Sequence, residues 1–191
     1  MLQSLPNRDS HLTTMQYAIG SVAQWAPCYY FRLWVSNEGK TRAEKVEVFL
    51  RAVERLRADD QLESVARYSP LHLKWSNTGI VFAEGISPGM GRHCDLAHIL
   101  DPSHRLNIGY SLDGIEEVPR EVPLLTLDVE VQPFTRAHLL APGDYQLTIQ
   151  IAAANATPVT KRPRMAFRGT WSPDERDMLS RGIGFSIADG R

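Results

Sequence analysis

The densest run of chemically competent side chains is Arg92-His93-Cys94-Asp95-Leu96-Ala97-His98, followed by His104. Imidazole, thiolate and carboxylate all ligate zinc, and an imidazole beside a thiol is also the starting point for an activated nucleophile. On a strand, Cys94, Leu96 and His98 share one face while His93, Asp95 and Ala97 share the other. That alternation divides the donors, so no metal centre is expected at His93, Cys94 and His98. Neighbours on a strand also point apart, which keeps His93 from activating Cys94. A helix would bring Cys94 and His98 together, but the short run ending at Asp101-Pro102 argues against one. The metal content of the purified protein is the measurement that separates these readings.

Other candidates are weaker still. Gly109-Tyr110-Ser111-Leu112-Asp113-Gly114 sets a serine between glycines without the spacing of a nucleophile elbow, and reads as a hairpin loop with Asp113-Gly114 in its turn. Gly182-Ile183-Gly184 lacks the third glycine of a dinucleotide fingerprint, and Gly85–Gly91 has no lysine and no following helix. The pairs Asp59-Asp60 and Glu116-Glu117 fall in charged, solvated loops. Trp34 and Trp75, with Trp171, are the aromatic residues that a glycan would stack on. The competing reading has these rings plugging the core and its edges. No catalytic residue, cofactor or metal is expected, and Trp34 and Trp75 are the ligand-facing candidates.

The 191 residues suffice for one domain with a sizeable core, and 43% hydrophobic with 23% charged residues is an ordinary globular balance. A formal net charge of −1 supplies no field for nucleic acid or an anionic membrane. Lys161-Arg162-Pro163-Arg164 is too small a cluster to change that. Two cysteines, Cys28 and Cys94, do not make a disulfide scaffold. Cys28 is out of phase with Phe31, Leu33 and Val35 and should point to the opposite face, so two thiols in a reducing compartment are expected. No apolar run is long enough to span a membrane, and the start of the chain does not read as a signal peptide. A cytoplasmic protein, membrane-proximal at most through a partner, is the resulting expectation.

The elements follow from periodicity. Residues 1–14 read as a loose lead-in to one domain over 15–191, with a first strand inside 15–25. Phe31, Leu33 and Val35 alternate with Arg32, Trp34 and Ser36, and Val46, Val48 and Leu50 resume the pattern after the Ser36–Lys40 turn. Residues 45–54 are taken as a strand, although Val46, Phe49, Leu50, Val53 and Leu56 also fit helical spacing and leave 45–56 ambiguous. Residues 57–69 are expected to cross between sheets. Further strands are expected at 71–75, 93–100, 105–110, through Leu125, Leu127, Val129 and Val131, and at 145–151, 164–171 and 183–187. Ser172-Pro173-Asp174-Glu175 has the form of a capping box and starts a short helix ending at Arg181-Gly182.

Tyr29–Leu50 with its Asn-Gly turn and Val-x-Val-x-Leu strand resembles a bacterial immunoglobulin-like accessory domain of the CARDB type. Leu140-Ala141-Pro142-Gly143-Asp144-Tyr145 with Leu147-Thr148-Ile149 resembles the late hairpin of the same sandwiches, where the strand after the turn carries an inward tyrosine. Gly169–Glu175 with Met178 is similar to the end of an uncharacterised prokaryotic β-sandwich group often carried behind membrane anchors. The resemblance implies an immunoglobulin-like antiparallel β-sandwich with a short C-terminal helix, and a non-catalytic module. The expected function is therefore a non-enzymatic interaction module whose partner is another protein. A carbohydrate-binding module, with a glycan on Trp34 and Trp75, is the alternative.

Overall fold

The computed structural model describes residues 2–3, 11–19, 22–65, 68–104 and 118–187. Its strands, in chain order, are β1 (Leu2–Gln3), β2 (Leu12–Ile19), β3 (Val22–Ser36), β4 (Ala43–Leu56), β5 (Leu62–Ser64), β6 (Leu71–His72) and β7 (Phe82–Ile86). They continue with β8 (Gly91–Leu100), β9 (Leu125–Leu127), β10 (Leu139–Leu140), β11 (Gly143–Ala153), β12 (Ala156–Lys161), β13 (Pro163–Phe167) and β14 (Ile183–Ile187). Pairing is antiparallel throughout and makes two sheets. The first runs β1–β3–β8–β9–β10 with β2 also on β3; the second runs β14–β13–β11–β4–β5, with β12 on β11 and β6 and β7 on β4. The chain is thus an all-β sandwich with a short C-terminal helix.

Inward side chains of both sheets form one core. Tyr29, Phe31, Leu33 and Val35 of β3 meet Val46, Val48, Leu50 and Val53 of β4 and Leu147 and Ile149 of β11. Burying each large side chain of this kind contributes about 1.5–3 kcal/mol, which is why strict alternation in these three strands specifies which face turns inward. Tyr145 follows the Pro142-Gly143 turn and points inward, and its hydroxyl donates to Ala141 O at 2.7 Å.

The ambiguity over 45–56 resolves as strand, and its cause is visible in the ladder. Thr148 pairs with Ala52 and Ile149 with Leu50, so Arg51 has no opposite number and forms a β-bulge. The bulge changes the spacing of inward residues from two to three between Leu50 and Val53, which imitates part of a helical repeat.

Three expectations change. Of the expected crossing over 57–69, residues 57–65 do not cross between sheets: β5 folds straight back onto Glu54–Leu56 of β4, closed by Arg57 N donating to Gln61 O. The crossing falls to Leu71–Ser76, which begins as β6 on β4 and ends bridged to β8 through Trp75 and Cys94. The supposed lead-in is largely structural where it is described, since β1 pairs with Trp34 and Val35 and β2 begins at Leu12. The strand foreseen inside 15–25 is a hairpin, with Ile19 opposite Val22. The strand expected at 105–110 and the Asp113-Gly114 turn lie outside the described residues.

The C-terminal helix is a single turn, α1 (Glu175–Asp177), continued by a π-helical turn over Met178–Gly182. Asp174, not Ser172, is its N-cap and accepts from Asp177 N at 2.8 Å. Ser172 instead accepts from Asp174 N at 3.2 Å, one step upstream. Trp171 meets Tyr29 edge-on at 5.1 Å and Phe185 meets Phe31 at 5.3 Å, while Met178 is buried between.

Candidate functional site

The residues singled out by chemistry are redistributed by a second bulge. Across β3 and β8, Trp34 faces His93, Arg32 faces Asp95, Phe31 faces Ala97 and Tyr30 faces His98. Leu96 is the extra residue, and its insertion reverses the alternation. His93, Asp95 and His98 consequently share the outer face of the first sheet, whereas Cys94 turns into the core. The simple alternation that placed Cys94 with His98 is therefore corrected.

The outer face carries a connected polar network. Asp95 accepts from Arg32 Nε at 3.1 Å and from the Ser76 hydroxyl. His98 Nδ1 lies 2.9 Å from Asp128 Oδ1, and the Tyr30 ring stacks on the His98 ring at 5.6 Å. The Arg32 guanidinium also lies over the Tyr30 ring, 4.9 Å from its centre. Burial, the charges of Asp128 and Asp95 and a hydrogen bond to Asp128 all raise the Tyr30 pKa, so its phenol stays a donor. His138 is 1% exposed beside this pair, and burial, followed by the Arg136 and His98 charges, lowers its pKa to about 4.

A histidine held through Nδ1 by a carboxylate has a fixed ring orientation and directs Nε2 outward from the pair, the relationship that also orients general bases. Here Asp128 supplies it to a ring packed flat against Tyr30. Among the described residues, no three His, Cys, Asp or Glu side chains converge as a metal cluster would require. Cys94 is buried in the core and its pKa is raised well above the thiol range, chiefly by burial; Cys28, buried on the outer face, is pushed up to about 12 by the same effect. Both are free thiols.

The tryptophans separate. Trp75 is 0% exposed, with its indole N–H donating to Val46 O at 3.3 Å, so it is a core residue and not a ligand-facing one. Trp34 is half-buried, with His93 edge-on at 4.7 Å. A Cβ on Gly91 would come within 2.5 Å of the Trp34 ring, so glycine is what lets that ring lie down on the sheet.

The feature that composition did not single out is an arm. Beyond Cys28, which faces Leu100 at the end of β8, strand β3 pairs with no strand but β2 among the described residues, and Pro27 O accepts from Asp101 N at 2.9 Å. From Thr14–Pro27 to Ile19–Val22 the two strands form a ribbon on which Ala26 is buried and Trp25 is 62% exposed. The sequence signal was the uncharged stretch Leu12–Phe31. Among the described residues no helix is long and apolar enough to cross a membrane. No family model matches this sequence, and no curated protein or solved structure matches it.

Proposed function

We propose that the chain is a non-enzymatic, immunoglobulin-like interaction module that binds another protein through a strand edge, with the β2–β3 arm as its contact element. The observation that carries this reading is the arm itself: a two-stranded ribbon at the end of the first sheet that carries Trp25 at 62% exposure. Such edges bind by adding a strand, where ladder hydrogen bonds give affinity and alternate side chains give selectivity. Exposed tryptophans are common anchors in protein contacts. The immunoglobulin-like assignment draws support from Tyr145, whose hydroxyl reaches back to Ala141 as in the tyrosine corners of such sandwiches. Two unbridged thiols support a cytoplasmic address.

The glycan alternative needs a pair of aromatic faces, and the burial of Trp75 removes one of the two it relied on. The experiment is capture from a native lysate with the tagged full chain and with Trp25→Ala. A stoichiometric protein retained by the first and released by the second is expected. Equal recovery by both, or an empty eluate from a chain that turns over a substrate, defeats the reading.

A further inference from the structure

The basic run Lys161-Arg162-Pro163-Arg164 is sorted by the second sheet. β12 and β13 lie along β11 in one continuous register: Thr160 pairs with Gln150 and Lys161 with Ile149, then Arg164 pairs with Gln146 and Met165 with Tyr145. Arg162 and Arg164 therefore share the face of Gln146 and Gln150, opposite to the buried Leu147, Ile149 and Met165. That is the outer face of the second sheet. Two residues apart on an extended chain, the two arginines stand about 7 Å from each other. Arg51, the bulge residue of β4, reaches the same face and donates to Gln150 Oε1 at 3.0 Å.

Arg51, Arg162 and Arg164 are all exposed, and among the described residues none of them has a carboxylate within ion-pair distance. The acids of this face are placed elsewhere or already answered. Arg168 holds Asp144 at 2.8 and 3.0 Å. Glu47 lies 3.3 Å from the His72 ring. Glu54 stands on β4 beyond Gln146, so a whole strand separates it from Arg164. The β12–β13 side of the face is thus a strip of unanswered positive charge. Beyond Arg164, on the side away from Arg162, the face sinks into a groove of about 350 Å³ whose lining includes Leu56, Leu62, Ala166 and Gly184. Ala166 and Gly184 stand opposite each other and their small size opens the floor.

We infer that this strip docks an extended acidic segment of a protein partner, in the order apolar, any residue, acidic, any residue, acidic. The inference rests on the interaction-module reading and adds to the arm a second contact of stated chemistry. In an extended segment every second side chain faces the same way, at a repeat of about 7 Å. That repeat matches the groove at Ala166, then Arg164, then Arg162. A guanidinium holds a carboxylate through two parallel hydrogen bonds, which gives each arginine a defined acidic partner. Leu56 and Leu62 cover the apolar residue in the groove. Three cations are too few to grip nucleic acid against salt, but complementary charge on this scale steers an acidic partner and rejects a basic one.

The test is fluorescence anisotropy of the full chain with the labelled peptide Ser-Leu-Ser-Glu-Ser-Glu-Ser. Binding that weakens with added salt is expected, and Arg162→Glu combined with Arg164→Glu should raise the dissociation constant by about tenfold or more. The same double variant should bind Ser-Leu-Ser-Lys-Ser-Lys-Ser, a swap that a folding defect cannot produce. No binding by the unaltered chain at millimolar peptide, or binding indifferent to the two substitutions, overturns the docking face. Equal binding of a peptide with its two glutamates adjacent overturns the alternate spacing, and tighter binding of a DNA oligonucleotide overturns the acidic protein as occupant. Should the face fail while Trp25→Ala still releases a cellular protein, the interaction reading stands without it.

Discussion

The imidazole of His98 faces the carboxylate of Asp128 with Nδ1 at 2.9 Å from Oδ1 and 3.1 Å from Oδ2, joining β8 to the chain just after β9. Both side chains are about nine-tenths buried, so removing one partner leaves the other without compensation. Asp128→Ala should lower stability by about 3 kcal/mol, in the range found for broken buried pairs. Asp128→Asn, which keeps an acceptor for His98, should cost less. Urea denaturation of the three proteins at neutral pH checks both values.

His138 gives stability a pH dependence of known sign. Its pKa is about 4 in the folded chain and about 6.5 when unfolded. The unfolded state therefore takes the proton first, and stability is full above pH 6.5 and declines as pH falls towards 4. The decline is about 1.4 kcal/mol per pH unit, roughly 3 kcal/mol in all. His138→Leu should flatten this part of the profile when midpoints at pH 7 and pH 5 are compared. A variant as acid-sensitive as the unaltered chain would remove His138 as the cause.

Gly91 and Trp34 should be coupled. Gly91→Ala forces the indole off the strand and should cost about 1–3 kcal/mol, as overpacking does. In the Trp34→Ala background the three atoms nearest the new Cβ are gone. A double-mutant cycle by denaturation should return a coupling well above the noise of additive pairs, and simple additivity would show that the ring yields freely.

The two thiols should be silent in the native protein. Both are buried, and burial raises both pKa values, Cys28 to about 12. A thiol-reactive chromophore should label neither in buffer and both in denaturant, since the thiolate is the reacting form. Rapid labelling of one in buffer would reveal opening at that face.

The sandwich was readable because β3, β4 and β11 keep apolar residues at alternate positions over long stretches, and only one face of such a strand satisfies burial. The outer-face site was not, because its assembly depends on a single unpaired residue. Nothing in the identity of Leu96 announces a bulge, yet without it His98 would face the core and Asp95 would not share a surface with it. Arg51 had the milder effect of making a strand resemble a helix. The partners Asp128 and His138 come from beyond a long intervening segment, and no local spacing links them to β8. The arm failed to register for a different reason: an edge is defined by what lies beside a strand, and a sequence records only the strand.

The segment Leu71–Ser76 also sets how the molecule comes apart. Leu73 N bonds to Val48 O in the second sheet, whereas Lys74 O and Ser76 N bond to Asp95 N and His93 O in the first. One short piece of backbone is thus riveted to both layers, and the layers cannot part along that side while it holds. Amide protons of Leu73 and Asp95 should therefore be among the slowest to exchange with deuterium and should share one opening free energy, although they belong to different sheets. The stretch of the ribbon around the exposed Trp25 should exchange sooner than this seam.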